Sequence, residues 1–275
     1  MTREQKYQAF RALHRRAGAF VIPNPWNAGT ARILTAMGFE ALATTSAGYA
    51  FAVGRRDSGT DLTRDGILEN AKEIVEATDL PVSADLQDGF GRAPETCAET
   101  IRLASETGLA GGSIEDSTDD PNNPIYDFQL AVDRVEAAAK AAHDCQFLLT
   151  ARAENFLHGR PDLADTIRRL ASFADAGADV LYAPGLPSLA AIREVCAAVK
   201  KPVNVVMGLK GATFSVEELG AAGVKRISVG GSLARAALGA FVRAASEMKE
   251  NGTFTYVAEA LPPAEAKAFM AAGKR

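Results

Sequence analysis

Ala176–Gly185 reads AGADVLYAPG, and its order of residue types points to one architecture. A glycine closes one element, and a run of small and branched apolar residues opens the next. Glycine suits the position just past a helix, where the backbone turns to positive φ. The run after it shows no alternation of polar with apolar residues, the mark of a strand covered on both faces. The same order recurs in Met37–Ser46 (MGFEALATTS), Thr107–Ser117 (TGLAGGSIEDS) and Ala222–Gly231 (AGVKRISVGG).

Applied to the whole chain, the pattern predicts eight strands, at 19–24, 40–46, 81–87, 111–117, 146–153, 178–184, 202–208 and 226–231. Helical patterns lie between them. Cys97–Gly108, Leu163–Gly177 and Leu189–Lys200 carry apolar residues at steps of three and four. Strand and helix alternate in units of roughly 25 to 40 residues, which predicts an α/β fold of the (β/α)8 TIM barrel type. The rival, a doubly wound open sheet, lacks a GxGxxG after the first strand. No linker or composition break appears. One barrel domain is therefore expected over 1–275, with 244–275 as a C-terminal helical extension.

The totals narrow the chemistry. The 275 residues are 47% hydrophobic and carry a net charge of −4. No long basic run points to nucleic acid as a partner. The charged start, MTREQKYQAFRALHRR, has no signal-peptide core, and no run is apolar enough for a membrane span. Cys97, Cys145 and Cys196 are far apart and form no CxxC, as expected of reduced thiols in a cytoplasmic protein. Of the three histidines, His14 and His143 fall in helices; His158 falls in a loop that can approach a site. Most of the chemistry is therefore left to carboxylates, arginine and a metal.

Barrel enzymes place their reactive groups at the carboxyl ends of the strands. Those ends carry Thr44, Thr45 and Ser46; Asp85, Gln87 and Asp88; Glu115 and Asp116; Arg152 and Glu154; Tyr182; and Asn204. Acids on inner strands are costly unless paired or bound to metal. Oxygen donors without His or Cys point to Mg2+ or Mn2+ rather than zinc. Plainer readings stand beside these. Asp88 reads equally as the cap of the turn before Gly89, and Asn204 as a partner of neighbouring backbone. Glu115 and Arg152 can form a rim salt bridge, and Asp116 reads as structural. The end GGSLAR, Gly230–Arg235, reads as a helix N-cap more than as a phosphate cradle.

Four ordered motifs then carry a resemblance: SADLQDGFG (83–91), GLAGGSIEDS (108–117), LLTARAENFL (148–157) and DAGADVLYAPG (175–185). Together they resemble the isocitrate lyase / phosphoenolpyruvate mutase superfamily, with similarity from about NPWNAGTARIL (24–34) through GVKRISVGGSLARAALGAF (223–241). The resemblance implies a 2-oxo acid bound with Mg2+ (or Mn2+) at the barrel mouth, and a C–C or C–P bond made or broken beside it. It implies that Thr45, Ser46 and Ala47 hold a substrate carboxylate. Asp85, Asp57, Asp88 and Glu115 are the implied metal residues, directly or through water, with Gln87 standing where the family has an acid. Arg152 is the implied stabiliser of an enolate; Asp57, Glu115 and Asp88 are expected to share the catalysis. Glu154 matches a nearby acid. Asn204 and loop residue Asn122 or Asn123 are further expected substrate contacts.

Two departures shape the expectation. Loop 117–128, STDDPNNPIYDF, holds no cysteine where the true lyases carry their general acid. After the sixth strand the chain reads YAPG, without the histidine of the phosphonate mutases. The function expected is a Mg2+-dependent lyase on a dicarboxylic 2-oxo acid such as oxaloacetate or 2-oxoglutarate. The alternatives are hydrolysis of a C–P or C–C bond, and 2-oxo acid binding without catalysis. Residues 117–126 are expected to act as a lid. Family members imply a homo-oligomer, a tetramer or a dimer, that exchanges the last barrel helix.

Overall fold

The computed structural model describes residues 1–58, 61–118 and 120–271. Asp119, within the expected lid, and residues 272–275 of the expected extension lie outside the described residues. Eight parallel strands form one sheet: β1 (Phe20–Ile22), β2 (Leu42–Ala43), β3 (Val82–Asp85), β4 (Gly111–Glu115), β5 (Leu148–Arg152), β6 (Val180–Tyr182), β7 (Val203–Val206) and β8 (Arg226–Ser228). Their order, β1-β8-β7-β6-β5-β4-β3-β2, wraps the sheet into a nearly closed (β/α)8 barrel. The seam between β1 and β2 is bridged where Ala43 N donates to Pro23 O at 3.0 Å and Asn24 Nδ2 to Thr44 O at 2.8 Å.

Each predicted strand is present, but shorter than its apolar run. The missing residues lie mostly at the carboxyl ends, where the chain leaves the ladder to build the mouth. Thr45, for example, caps the helix Ser46–Ala52 by accepting from Gly48 N. The glycine punctuation has the expected cause. Gly38, Gly108, Gly177 and Gly223 have φ of +88°, +89°, +107° and +98° after their helices. Gly111 has a different reason: a Cβ there would lie 2.6 Å from Leu148 O on β5.

The floor of the barrel is closed by the helix Arg3–Arg15, started by a Thr2/Gln5 capping box. Its Phe10 is fully buried against Phe20, Ala110 and Leu148, residues at the amino ends of the strands. His14 stacks edge-on between Phe10 and Phe20 and donates from Nδ1 to Phe10 O at 2.8 Å. Its Nε2 is buried without a partner. Burial, then the charge of Arg226, push its pKa from 6.5 down to about 3.

A depressed histidine destabilises the fold in acid. Below about pH 6.5 the unfolded chain takes up a proton that the folded chain refuses, so stability falls from there toward pH 3, by about 1.4 kcal/mol per unit. His14→Leu is expected to lose about 2.5 kcal/mol less than the natural chain between pH 6.5 and 4.5, read by urea unfolding at both pH values. Equal losses would show that His14 is protonated in the folded state. Carboxylate titration is common to both proteins and cancels.

Beyond β8 come the helix Ser232–Asn251, a 3-10 turn Thr255–Glu259 and the additional helix Pro263–Ala271. The last returns to the barrel, where Arg32 Nη1 donates to Met270 O at 2.6 Å. Ser232 is the first helical residue rather than the cap; Gly231 caps the helix, with no side-chain bond. Among the described residues no helix is long and apolar enough to cross a membrane.

Candidate active site

The carboxyl ends of the strands open on a cavity of about 410 Å³. Thr45, Ser46, Ala47, Asp57, Asp85, Gln87, Asp88, Glu115, Arg152, Glu154, His158 and Tyr182 all reach it. Parallel register does the gathering. Asp85 of β3 pairs with Ser113 of β4, Glu115 with Arg152 of β5, and Arg152 with Tyr182 of β6. Residues far apart in sequence thus stand side by side at one height.

Arg152 is the hub. Its Nη1 lies 3.2 Å from Asp85 Oδ1 and 3.0 Å from Glu115 Oε2, and its Nε 2.7 Å from Glu154 Oε1. Its guanidinium sits 4.9 Å from the centre of the Tyr182 ring. The side chain is only 13% exposed, so these are charge-assisted bonds in a largely dry setting. Three carboxylates against one guanidinium leave the mouth negative. Glu115 shows the consequence: burial first, then Glu154 and Asp85 against the opposing pull of Arg152, hold its carboxyl well above the ordinary range. Ser117 Oγ donates to Glu115 Oε1 at 2.6 Å and fixes its orientation.

Asp85 is held from the other side. Ser46 donates to its Oδ2 twice, from N at 3.2 Å and from Oγ at 2.9 Å, while Asp85 N donates to Thr44 Oγ1 at 3.0 Å. Ser46 also bonds Asp57, whose carboxyl is raised by burial and by the nearby charge of Asp85. The structure therefore brings Asp57, Asp85 and Ser46 together, although 28 residues separate the two acids.

The turn after β3 explains the Gly-Phe-Gly of the motif. Gln87, Gly89 and Phe90 have φ of +49°, +85° and +63°, so the chain coils on itself. Buried Arg134 fills the coil, donating to the carbonyls of Asp88, Gly91 and Arg92 and stacking 4.1 Å from the Tyr126 ring centre. Sequence reasoning missed Arg134; an arginine inside the apolar face of a helix was the available signal. Asp88 accepts from Phe90 N at 2.8 Å and from Tyr126 Oη at 2.9 Å. It faces the cavity and also caps its turn.

Two expected contacts fall elsewhere. Asn204 is buried within the barrel, its amide bonded to Ser228 Oγ at 3.0 Å and Arg226 Nε at 2.8 Å, and it does not line the mouth cavity. Asn122 is exposed on loop 117–126 and also lies outside the cavity lining. Among the loop's described residues, Ser117 pairs with Ile125 as across a hairpin, and Asp120 accepts from Asn122 N and Asn123 Nδ2 at 2.9 and 3.1 Å. Asp116 is buried under the mouth, paired to Arg169 at 2.9 Å and bonded by Glu154 N at 2.8 Å. Arg169, also bonded to Asp165, is a second buried arginine that pattern reading passed over.

Among the described residues no three His, Cys, Asp or Glu side chains converge into a metal cage. Mg2+ does not demand one. It keeps several waters and binds through one or two carboxylates and the substrate. Asp85 and Asp57, joined by Ser46, supply hard oxygens, and the Gln87 Oε1 is buried without a hydrogen-bond donor. Those residues fit Mg2+ or Mn2+. Asp88 and Glu115 reach the cavity with oxygens already engaged.

Comparison with known proteins agrees with this geometry. The family model described as phosphoenolpyruvate phosphomutase matches residues 10–249. A crystal structure from Burkholderia cenocepacia J2315, provisionally described as a lyase/mutase, is 57% identical, with a TM-score of 0.95 over 98% of this chain and 96% of that one. The 2-methylisocitrate lyase of Escherichia coli (strain K12) is 30% identical over 79% of this chain and 75% of its own length. A 2,3-dimethylmalate lyase structure is 26% identical, with a TM-score of 0.86 over 98% of this chain and 95% of that one. With a family match across most of its length and the same barrel, the chain belongs to the phosphoenolpyruvate phosphomutase family, within the isocitrate lyase / phosphoenolpyruvate mutase superfamily.

Proposed function

We propose that the chain is a Mg2+-dependent lyase that breaks a C–C bond beside the keto group of a 2-oxo acid. The observation that carries this reading is the setting of Arg152, nearly buried, facing a mouth of about 410 Å³ and ringed by Asp85, Glu115 and Glu154. A cation so placed is preorganised for negative charge arising on a bound keto oxygen, the condition under which electrostatic catalysis is largest. Ring carboxylates hold it in position, so little reorganisation accompanies the reaction. At the start of the helix Ser46–Ala52 the amides of Thr45 and Ala47 offer donors to a substrate carboxylate, while Ser46, its amide engaged by Asp85, lines the same wall. Asp85 and Asp57, with Gln87 and surrounding waters, would hold the metal; when bound it supplies Lewis-acid stabilisation of the developing enolate. Glu115, whose carboxyl burial pushes up, can keep a proton beside the reacting atoms.

The hairpin 117–126 rims the mouth through Ser117 and Thr118, and we read it as the boundary that selects the substrate's far end. A dicarboxylic 2-oxo acid fits that reading. The long helix Ser232–Asn251 buries only Ala234 and leaves Phe241 70% and Val242 59% exposed, which supports a homo-oligomer, a tetramer or a dimer, joined through this helix. Light scattering tests it; a monomer at micromolar concentration contradicts it. The unpaired cysteines fit a cytoplasmic setting.

The test of function is a panel. Oxaloacetate, 2-oxoglutarate, branched 2-oxo acids, 2-methylisocitrate and phosphonopyruvate are each incubated with the protein and Mg2+, and pyruvate, CO2 and phosphate are assayed. Release of a 2-oxo acid or CO2 without phosphate supports the lyase. Phosphate release supports the hydrolase, and ligand-induced thermal stabilisation without turnover supports a binding protein.

A further inference from the structure

Beneath the mouth lies a second, smaller chamber of about 60 Å³ inside the barrel. Arg226 of β8 forms part of its wall, and the mouth makes no use of this residue's charge. The side chain is 4% exposed. Its Nε donates to Asn204 Oδ1 at 2.8 Å and its Nη2 to Thr150 Oγ1 at 2.9 Å. Its Nη1 is buried with no acceptor, and among the described residues no carboxylate pairs with the guanidinium.

Such an arrangement is expensive. Arginine does not shed its proton in proteins. A charge taken out of water costs several kcal/mol unless an opposite charge meets it. Asn204 and Thr150 offer dipoles only. The one carboxylate on the chamber wall is Asp85, already engaged by Arg152 and twice by Ser46. Arg152 also faces the chamber, but its charge is met by Asp85, Glu115 and Glu154, so the unmet charge is that of Arg226. Thr44, Ser83, Ser113 and Ser228 also line the chamber, beside apolar Ile22 and Ala84. A water could satisfy the Nη1 proton but not the charge, and the volume exceeds the roughly 30 Å³ that one water occupies.

We propose that this chamber binds one small monovalent anion of halide size, held by Arg226, as the missing counter-charge of the barrel interior. The ion lies below the reacting groups and is a structural ligand rather than a substrate. Anions are therefore expected to stabilise the folded chain through this site.

Bromide is the probe. The melting temperature is measured in sodium bromide and in sodium gluconate at equal ionic strength, and crystals soaked in bromide are examined for anomalous scattering. The expected result is a rise of at least about 2 °C in roughly 200 mM bromide over gluconate, with an anomalous peak at Arg226. In Arg226→Met, which removes the charge at similar volume, rise and peak should both vanish. If that variant does not fold, the natural chain decides through its own peak. Equal melting in both salts with only water density in the chamber overturns the proposal. A peak that survives in Arg226→Met shows an adventitious ion only and overturns it as well.

Discussion

Replacing Arg152 with lysine is expected to lower kcat/KM at least about 10²- to 10³-fold while the barrel stays folded. Lysine keeps the positive charge and so avoids stranding three carboxylates. It loses the planar fork through which Arg152 meets Asp85, Glu115 and Glu154 at 3.2, 3.0 and 2.7 Å. A compact ammonium cannot hold these directions and face the ligand too. The loss should appear mainly in kcat, because the interaction strengthens as charge builds on the substrate. Arg152→Met is a poorer test. Unpairing buried acids costs about 3–5 kcal/mol, and lost activity would then report lost structure. The measurement is steady-state kinetics on the substrate the panel identifies, with a melting curve beside it. Activity within fivefold of the natural chain would remove Arg152 from the chemistry.

Asp85→Asn should be as damaging for a different reason. The amide is close in shape to the carboxylate and can still accept from Ser46 N and Oγ, which now bond Oδ2 at 3.2 and 2.9 Å. It loses the negative charge that a hard divalent cation requires. Changing groups merely behind metal ligands costs 10- to 100-fold in affinity or activity, so changing a ligand should cost at least about 100-fold. Stability should change little, since Asp85 is one of three acids on Arg152 and its loss relieves repulsion among them. Raising Mg2+ should restore part of the activity. If Asp85→Asn turns over normally at low Mg2+, the metal is held elsewhere and the role of Gln87 must be reconsidered.

Much of this was legible before any coordinates. Gly38, Gly108, Gly177 and Gly223 gave away the helix ends because positive φ is a steric demand that sequence displays directly. Asp85, Glu115 and Arg152 were visible because a charged residue closing an apolar strand has few cheap explanations. Their meeting on adjacent strands was less visible, since it depends on register. Asn204 went astray for another reason. It is in register with Tyr182, which reaches the mouth, but its amide is taken up by Ser228 and Arg226 inside the barrel, and pattern alone does not reveal where a side chain finds its partners. Asn122 followed from a polar loop, but loop polarity here serves the hairpin's own turn, centred on Asp120. Arg134 and Arg169 were passed over although each interrupts the apolar face of its helix, because arginine's long stem usually carries its charge outward; here it travels inward to backbone carbonyls and acids. Arg226 was the avoidable omission. A charge opening the buried strand RIS invites the same question that picked out Asp85.

Calorimetric titration with oxalate, whose two adjacent carboxylates imitate the planar oxygens of an enolised 2-oxo acid, reports on metal and Arg152 together. With Mg2+ present, oxalate is expected to bind the natural chain. Binding should weaken at least about 100-fold in Asp85→Asn and when EDTA replaces Mg2+. Oxalate that binds equally well with EDTA, or equally well to Asp85→Asn, would contradict a metal-held keto acid facing Arg152.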